Sequence, residues 1–203
     1  MQPLSFALLM ALIAVSASAR AADQPVIGVA PVTMSQDRYT FDSAEQHGFV
    51  VTVLAKGLQR SFAMAFLPDG DLLVSERGGQ LRVIHDATGA TPQLDPQPVA
   101  GVPALAVPYR NGGLHDLALH PDFARNHWLY FTYNKGEPEV AVTAGQRPRS
   151  AVSLMRGRYA DGELTDVEEL FVAPFGGTSG SRLVFAGDGS IFLSTGAPFA
   201  DDA

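Results

Sequence analysis

The chain contains no cysteine at all. Disulfide stapling and thiolate metal sites are therefore excluded, and stability has to come from packing, even in a compartment where disulfides form freely. Charge is scarce too: 17% of residues are charged, and acidic residues outnumber basic ones 21 to 14, for a net charge of −7. With no basic stripe to neutralise phosphates, a nucleic-acid partner is excluded. Beyond the amino terminus no apolar run is long enough to span a bilayer, and no stretch keeps a helical period over ten residues. What the chain does have is 20 glycines and 14 prolines in a sequence that is 46% apolar. That combination calls for many turns and few helices.

Residues 4–15 form an apolar run of the length of a signal-peptide core, and Ala17-Ser18-Ala19 supplies small residues for cleavage. Residues 1–19 are thus expected to be a signal peptide. Residues 20–44, rich in Pro, Ala and polar residues without a period, read as a linker or poorly ordered lead-in. Residues 45–203 form the folded domain. The expected product is exported, periplasmic or secreted, with no membrane span once the signal is removed.

Within the domain one design recurs. Met64-Ala65-Phe66 leads through Pro68-Asp69-Gly70 into Leu72-Leu73-Val74, and Leu183-Val184-Phe185 leads through Gly187-Asp188-Gly189 into Ile191-Phe192-Leu193. Between them, Leu117-Ala118-Leu119 leads through His120-Pro121-Asp122 into Trp128-Leu129-Tyr130. Each is an apolar strand, an Asp-containing turn and a second apolar strand. Taking Ala65, Ala118 and Val184 as equivalent, the repeats stand 53 and 66 residues apart, near or above a propeller-blade period. Residues 49–55 read as a first strand, too apolar for a solvent-washed edge, and residues 78–84 as a strand with Arg82 between apolar neighbours. The expectation is an all-β fold of antiparallel sheets stacked as blades.

Residues 92–108 carry five prolines and read as a long extended connection that delivers Asn111-Gly112-Gly113-Leu114-His115-Asp116 to the second repeat. The glycine pair either brings backbone close to a ligand or simply makes a tight turn. His115 either lines a mouth or is hydrogen-bonded beside the pair, and His120 reads as a turn residue. His47, His85 and His127 have structural readings. Asp69, Asp122 and Asp188 read as turn formers whose side chains bond their own backbone. Asp161-Gly162 marks a further hairpin, with Glu168 and Glu169 solvated. Arg182, at the head of an apolar strand, is costly to bury unless paired. It either makes a structural ion pair or faces an anionic cofactor.

Six stretches, running from Gly57-Leu58 through Met64-Ala65-Phe66-Leu67-Pro68-Asp69-Gly70, Glu76-Arg77-Gly78-Gly79, Gly112-Gly113-Leu114-His115-Asp116 and His120-Pro121-Asp122-Phe123 to Gly180-Ser181-Arg182-Leu183, stand in the order seen in the glucose/sorbosone dehydrogenase family. On that resemblance, which covers residues 48–196, the fold is a six-bladed β-propeller, of which this chain holds about three to four blades as an open arc. The resemblance implies an aldose dehydrogenase that takes hydride onto pyrroloquinoline quinone (PQQ) with Ca²⁺ beside it. The partners it implies are a sugar and an electron acceptor. It assigns cofactor contact to Asn111, Gly112 and Arg182 and names no metal ligand within the chain. Family members carry a histidine base four residues before the Arg of this last motif, and here that position is Thr178, whose hydroxyl does not accept a proton at neutral pH. Asn111 replaces a glutamine, and Ala197 replaces an aspartate that would orient the base. Two readings follow: a periplasmic PQQ-dependent sugar oxidoreductase with a departed active site, or a ligand-binding propeller without catalysis.

Overall fold

The computed structural model describes residues 35–103, 113–137, 150–176 and 180–196. The chain divides into two units, Met1–Gln36 and Asp37–Ala203, and the architecture below is that of the second. Thr178, Asn111, Gly112 and Ala197 lie outside the described residues, as does the expected signal peptide.

Strands β1 (Arg38–Phe41) and β2 (Phe49–Thr52) pair with each other. A four-stranded antiparallel sheet follows, made in order from β3 (Ser61–Phe66), β4 (Leu72–Glu76), β5 (Leu81–His85) and β6 (Gln93–Leu94). The next sheet has the same order: β7 (Leu114–Leu119), β8 (Trp128–Gly136), β9 (Ser150–Ala160) and β10 (Glu163–Val172). A one-turn helix, α1 (Phe123–Asn126), bridges β7 and β8. The described part ends with the two-stranded sheet of β11 (Ser181–Phe185) and β12 (Ile191–Thr195). The described residues thus hold two complete four-stranded blades and the first hairpin of a third. Among the described residues the sheets do not close into a ring.

Turn chemistry explains the hairpins. In β3–β4 the Gly70 N–H donates to the Leu67 carbonyl at 3.1 Å and the Asp71 N–H to Asp69 Oδ1 at 3.1 Å, with Gly70 at φ +96°. In β11–β12 the Gly189 N–H donates to the Ala186 carbonyl at 3.0 Å and the Ser190 N–H to Asp188 Oδ1 at 2.9 Å. These two aspartates are the expected turn formers. Asp122 is not, because its side chain caps nothing and instead pairs with Arg125 at 2.7 Å. The turn is tied by His120, whose Nδ1 accepts the Asp122 N–H at 3.0 Å.

Alternation along the strands then decides which face goes inside. Ala63, Leu73, Leu81 and Val83 of the first sheet pack on Leu117 and Phe131 of the second. Tyr130 and Leu154, on the second sheet's other face, pack on Leu183, with Phe185 and Leu193 partly buried around them. Each fully buried Leu or Phe of this kind contributes roughly 1.5–3 kcal/mol.

Three sequence-based expectations change. Residues 38–41, assigned to a poorly ordered lead-in, form β1, because Gly48 at φ +68° and the Asp42 carboxylate, which accepts the Gly48 N–H at 2.7 Å, close a loop back to β2. β2 is no interior strand: Val50 and Val51 are exposed, since β1 is its only strand neighbour among the described residues. The proline-rich connection is not wholly extended without pairing. Its Gln93–Leu94 adds β6 to the first sheet, and Ala100 bridges to Glu163 of the second.

Candidate functional site

The first strand of each sheet begins at the same end of the stack, and there the three sheets are joined by polar contacts. The β4–β5 turn is closed by the Gly79 N–H donating to the Glu76 carbonyl at 2.8 Å. Glu76 is buried, and its carboxylate accepts the Gln59 N–H and stands 3.8 Å from the Arg82 guanidinium. A buried carboxylate needs such partners, because desolvation alone costs several kcal/mol. That is also why Arg82 sits amid apolar neighbours: it donates to the Asp95 carbonyl at 2.7 Å besides facing Glu76.

Next to this turn, Gly113 leads into β7. A Cβ there would stand 1.7 Å from the Arg77 carbonyl oxygen, and φ is +102°. Gly113 is thus required by the close approach of the β4–β5 turn, while Gly112, the other half of the pair, lies outside the described residues. Ser75 of β4 donates to the His115 carbonyl at 2.6 Å and accepts the Ala63 N–H at 3.0 Å, stitching the first two sheets together. His115 is completely buried and its ring stacks on Phe62 at 5.0 Å.

Asp116 joins the second sheet to the third. One carboxylate oxygen accepts the Leu183 N–H at 2.6 Å and the other meets Arg182 Nη1 at 3.2 Å. The Asp116 N–H donates to Thr132 Oγ1 at 3.0 Å, and that hydroxyl shares a 2.6 Å hydrogen bond with Ser181. The Asp116 side chain is 5% exposed and that of Arg182 70%. The expected cost of burying Arg182 therefore does not arise: the carboxylate is buried, and the guanidinium stays open. Charge-assisted bonds to a backbone N–H and an Arg offset the desolvation of Asp116. Held on one nitrogen, Arg182 keeps further donors toward solvent, where a planar fork suits a carboxylate or phosphate.

Sequence reasoning singled out Arg182 and missed its holder. Asp116 was visible only as part of a motif. The available signal was an unpaired acidic residue inside Leu114-His115-Asp116-Leu117, on the strand that begins the sheet.

The carboxylates of β10 are not simply solvated. Glu168 pairs with Arg156, and Glu169 accepts from Tyr133 at 3.0 Å, Lys135 at 2.8 Å and Ser153 at 2.8 Å. Burial pushes the Glu169 carboxyl up, but Lys135, Ser153 and Tyr133 together hold it below the usual carboxylate range. Burial, with Glu169 beside it, pushes the Tyr133 phenol up to about 12. This cluster is a satisfied network that ties β8, β9 and β10 together.

Comparison with known proteins gives a consistent result. Residues 58–203 match the family model described as Glucose / Sorbosone dehydrogenase. An uncharacterized protein of Synechocystis, slr1608, is 36% identical over 151 residues, covering 69% of this chain and 33% of its own length. The aldose sugar dehydrogenase YliI of Escherichia coli is 31% identical over 153 residues, covering 72% of this chain and 38% of its own. Among solved structures, the PQQ-bound form of the aldose sugar dehydrogenase of Streptomyces coelicolor is similar, with a TM-score of 0.53 and 26% identity. That likeness covers 70% of this chain and 40% of that one. The sheets described above are blades of a β-propeller, and the chain spans about a third of the length of the curated relatives it matches.

Proposed function

Because the chain belongs to the glucose/sorbosone dehydrogenase family, we propose that it builds part of an exported sugar oxidoreductase that oxidises aldoses with PQQ as hydride acceptor. One observation carries the cofactor assignment: Arg182 is rooted on the buried Asp116 and leaves most of its guanidinium in solvent. That donor set suits an anion bearing several carboxylates, as PQQ does. Bound PQQ supplies a two-electron acceptor for the hydride of the sugar carbon. The chain's own residues supply position. Asp116 fixes the start of β11, and Arg182 and, by family pattern, Asn111 and Gly112 hold the acceptor. No group of three or more His, Cys, Asp or Glu suited to a metal ion stands among the described residues.

Export to the periplasm or medium rests on residues 1–19 as a cleaved signal. No helix among the described residues is long and apolar enough to cross a membrane.

A second reading, a ligand-binding propeller without turnover, is favoured by Thr178 at the base position and Ala197 where a carboxylate would orient the base. The experiment is a PQQ titration of the chain and its Arg182→Met variant, followed by dye reduction with several aldoses in the presence of Ca²⁺. Losing a charge-assisted contact should weaken PQQ binding at least about 10-fold in a variant that melts normally. Equal PQQ affinity of the two folded proteins would reject the cofactor assignment. PQQ binding without dye reduction would select the second reading.

A further inference from the structure

Counting back from the equivalent positions Ala65, Ala118 and Val184, Ala63, Asp116 and Arg182 share one place in the repeat, and His115 and Ser181 share the place before it. A hydroxyl on the second strand serves both joints between sheets there. Ser75 Oγ accepts the Ala63 N–H at 3.0 Å and donates to the His115 carbonyl at 2.6 Å. Thr132 Oγ1 accepts the Asp116 N–H at 3.0 Å and shares a 2.6 Å hydrogen bond with Ser181 Oγ. Ser75 and Thr132 are fully buried. Each takes an N–H from the first strand of its own sheet and reaches the same place on the first strand of the next.

At the second joint this bond belongs to a clamp. Three successive residues of β11 are held from the second sheet: Ser181 by Thr132, Arg182 by one Asp116 oxygen and the Leu183 N–H by the other. Asp116 is itself tied through its N–H to Thr132, so one hydroxyl touches both ends of the clamp. The carboxylate grips Arg182 through a single nitrogen at 3.2 Å. A long side chain held at one nitrogen points reproducibly only when the backbone beneath it is fixed, and fixing it in advance spares an incoming anion the entropy of ordering it. We infer that Thr132 is the positioning residue of the anion site at Arg182, acting through Ser181 and Asp116 and touching no ligand itself. The inference rests on the reading of Arg182 as a cofactor contact. A hydroxyl is needed at 132 because two partners are met there, an N–H and a serine oxygen; valine has the same shape and can bond neither.

The test compares the 203-residue chain with Ser181→Ala, Thr132→Val and Thr132→Ser. Two quantities are read: PQQ affinity by titration, and hydrogen exchange of the Leu183 amide with the Ala63 amide of the first joint as reference. Ser181→Ala leaves the Asp116 N–H bonded to Thr132 and should melt near the parent, whereas Thr132→Val strands that buried N–H and should melt lower. Both should bind PQQ about 3- to 10-fold more weakly and exchange Leu183 faster relative to Ala63. Thr132→Ser should restore the parental value of each. If Thr132→Val fails to fold, Ser181→Ala and Thr132→Ser decide. Weaker PQQ binding by Arg182→Met with parental binding by Ser181→Ala would overturn the inference and leave the cofactor reading intact. Equal PQQ affinity of the parent and Arg182→Met would instead remove the cofactor reading. The Leu183 amide then decides: faster exchange in Ser181→Ala supports the clamp, and an unchanged rate rejects it.

Discussion

The hairpins β3–β4 and β11–β12 share turn chemistry, strand lengths near five residues and apolar alternation, yet the second sheet covers opposite faces of the two, and β4 is buried on its other face as well, where Leu72 and Val74 pack with Leu54, Ala55 and Leu58. Leu73 is 0% exposed while Phe192, at the same position, is 65% exposed; Met64 is 66% exposed while its counterpart Leu183 is 6%. Local sequence sets the turn and the register. What lies on each side of the sheet sets which half of the alternation becomes core.

The largest break in that comparison comes from truncating equivalent positions. Leu73→Ala should destabilise by about 3 kcal/mol, from lost burial plus a residual cavity, whereas Phe192→Ala, at an exposed position, should cost under ~1 kcal/mol. Urea melts of the two variants read the difference directly, and equal losses would mean that both faces are packed alike.

The joint between sheets comes next. Asp116→Ala strands the Leu183 N–H and should cost about 2 kcal/mol, with faster amide exchange at Leu183. Arg182→Met, which removes a mostly exposed partner, should cost no more than ~1 kcal/mol. A larger loss at Arg182 than at Asp116 would reverse the roles assigned to them.

The smallest expected effect lies at the opposite end of the first sheet. His85 sits between Asp71 at 2.6 Å and Asp95 at 3.3 Å, and those carboxylates, Asp71 foremost, raise its pKa above the ordinary 6.5. Since the folded value is raised, its stabilisation is fully present below about 6.5 and fades as pH rises through the folded value. A His85→Gln variant should show a flatter stability profile above that pH, and an unchanged profile would remove the bridge from the account. β11–β12 carries no histidine, so its unfolding should show no such slope.

The sequence made the hairpins legible because Asp-Gly turns between alternating apolar strands are local signals, read within about ten residues. The equivalence of Ala65, Ala118 and Val184 was legible for the same reason: each pairs one step from the end of its hairpin, with Leu73, Tyr130 and Phe192. Arg182 stood out by its neighbours, but its ion pair could not be read, since Asp116 lies 66 residues away and no local pattern joins them. β2 misled because an apolar run looks interior whether or not anything covers it. The hub role of Glu169 was hidden in a similar way. Three donors converge on it from two other strands, and adjacent acidic residues in sequence look solvated.

The difference between the two hairpins is read most directly by thiol labelling of single cysteines placed at 64, 73, 183 and 192 of this cysteine-free chain. Labelling should be fast at 64 and 192, with strong protection at 73 and 183. Protection at 192 together with exposure at 183, or one common rate at all four positions, would contradict it.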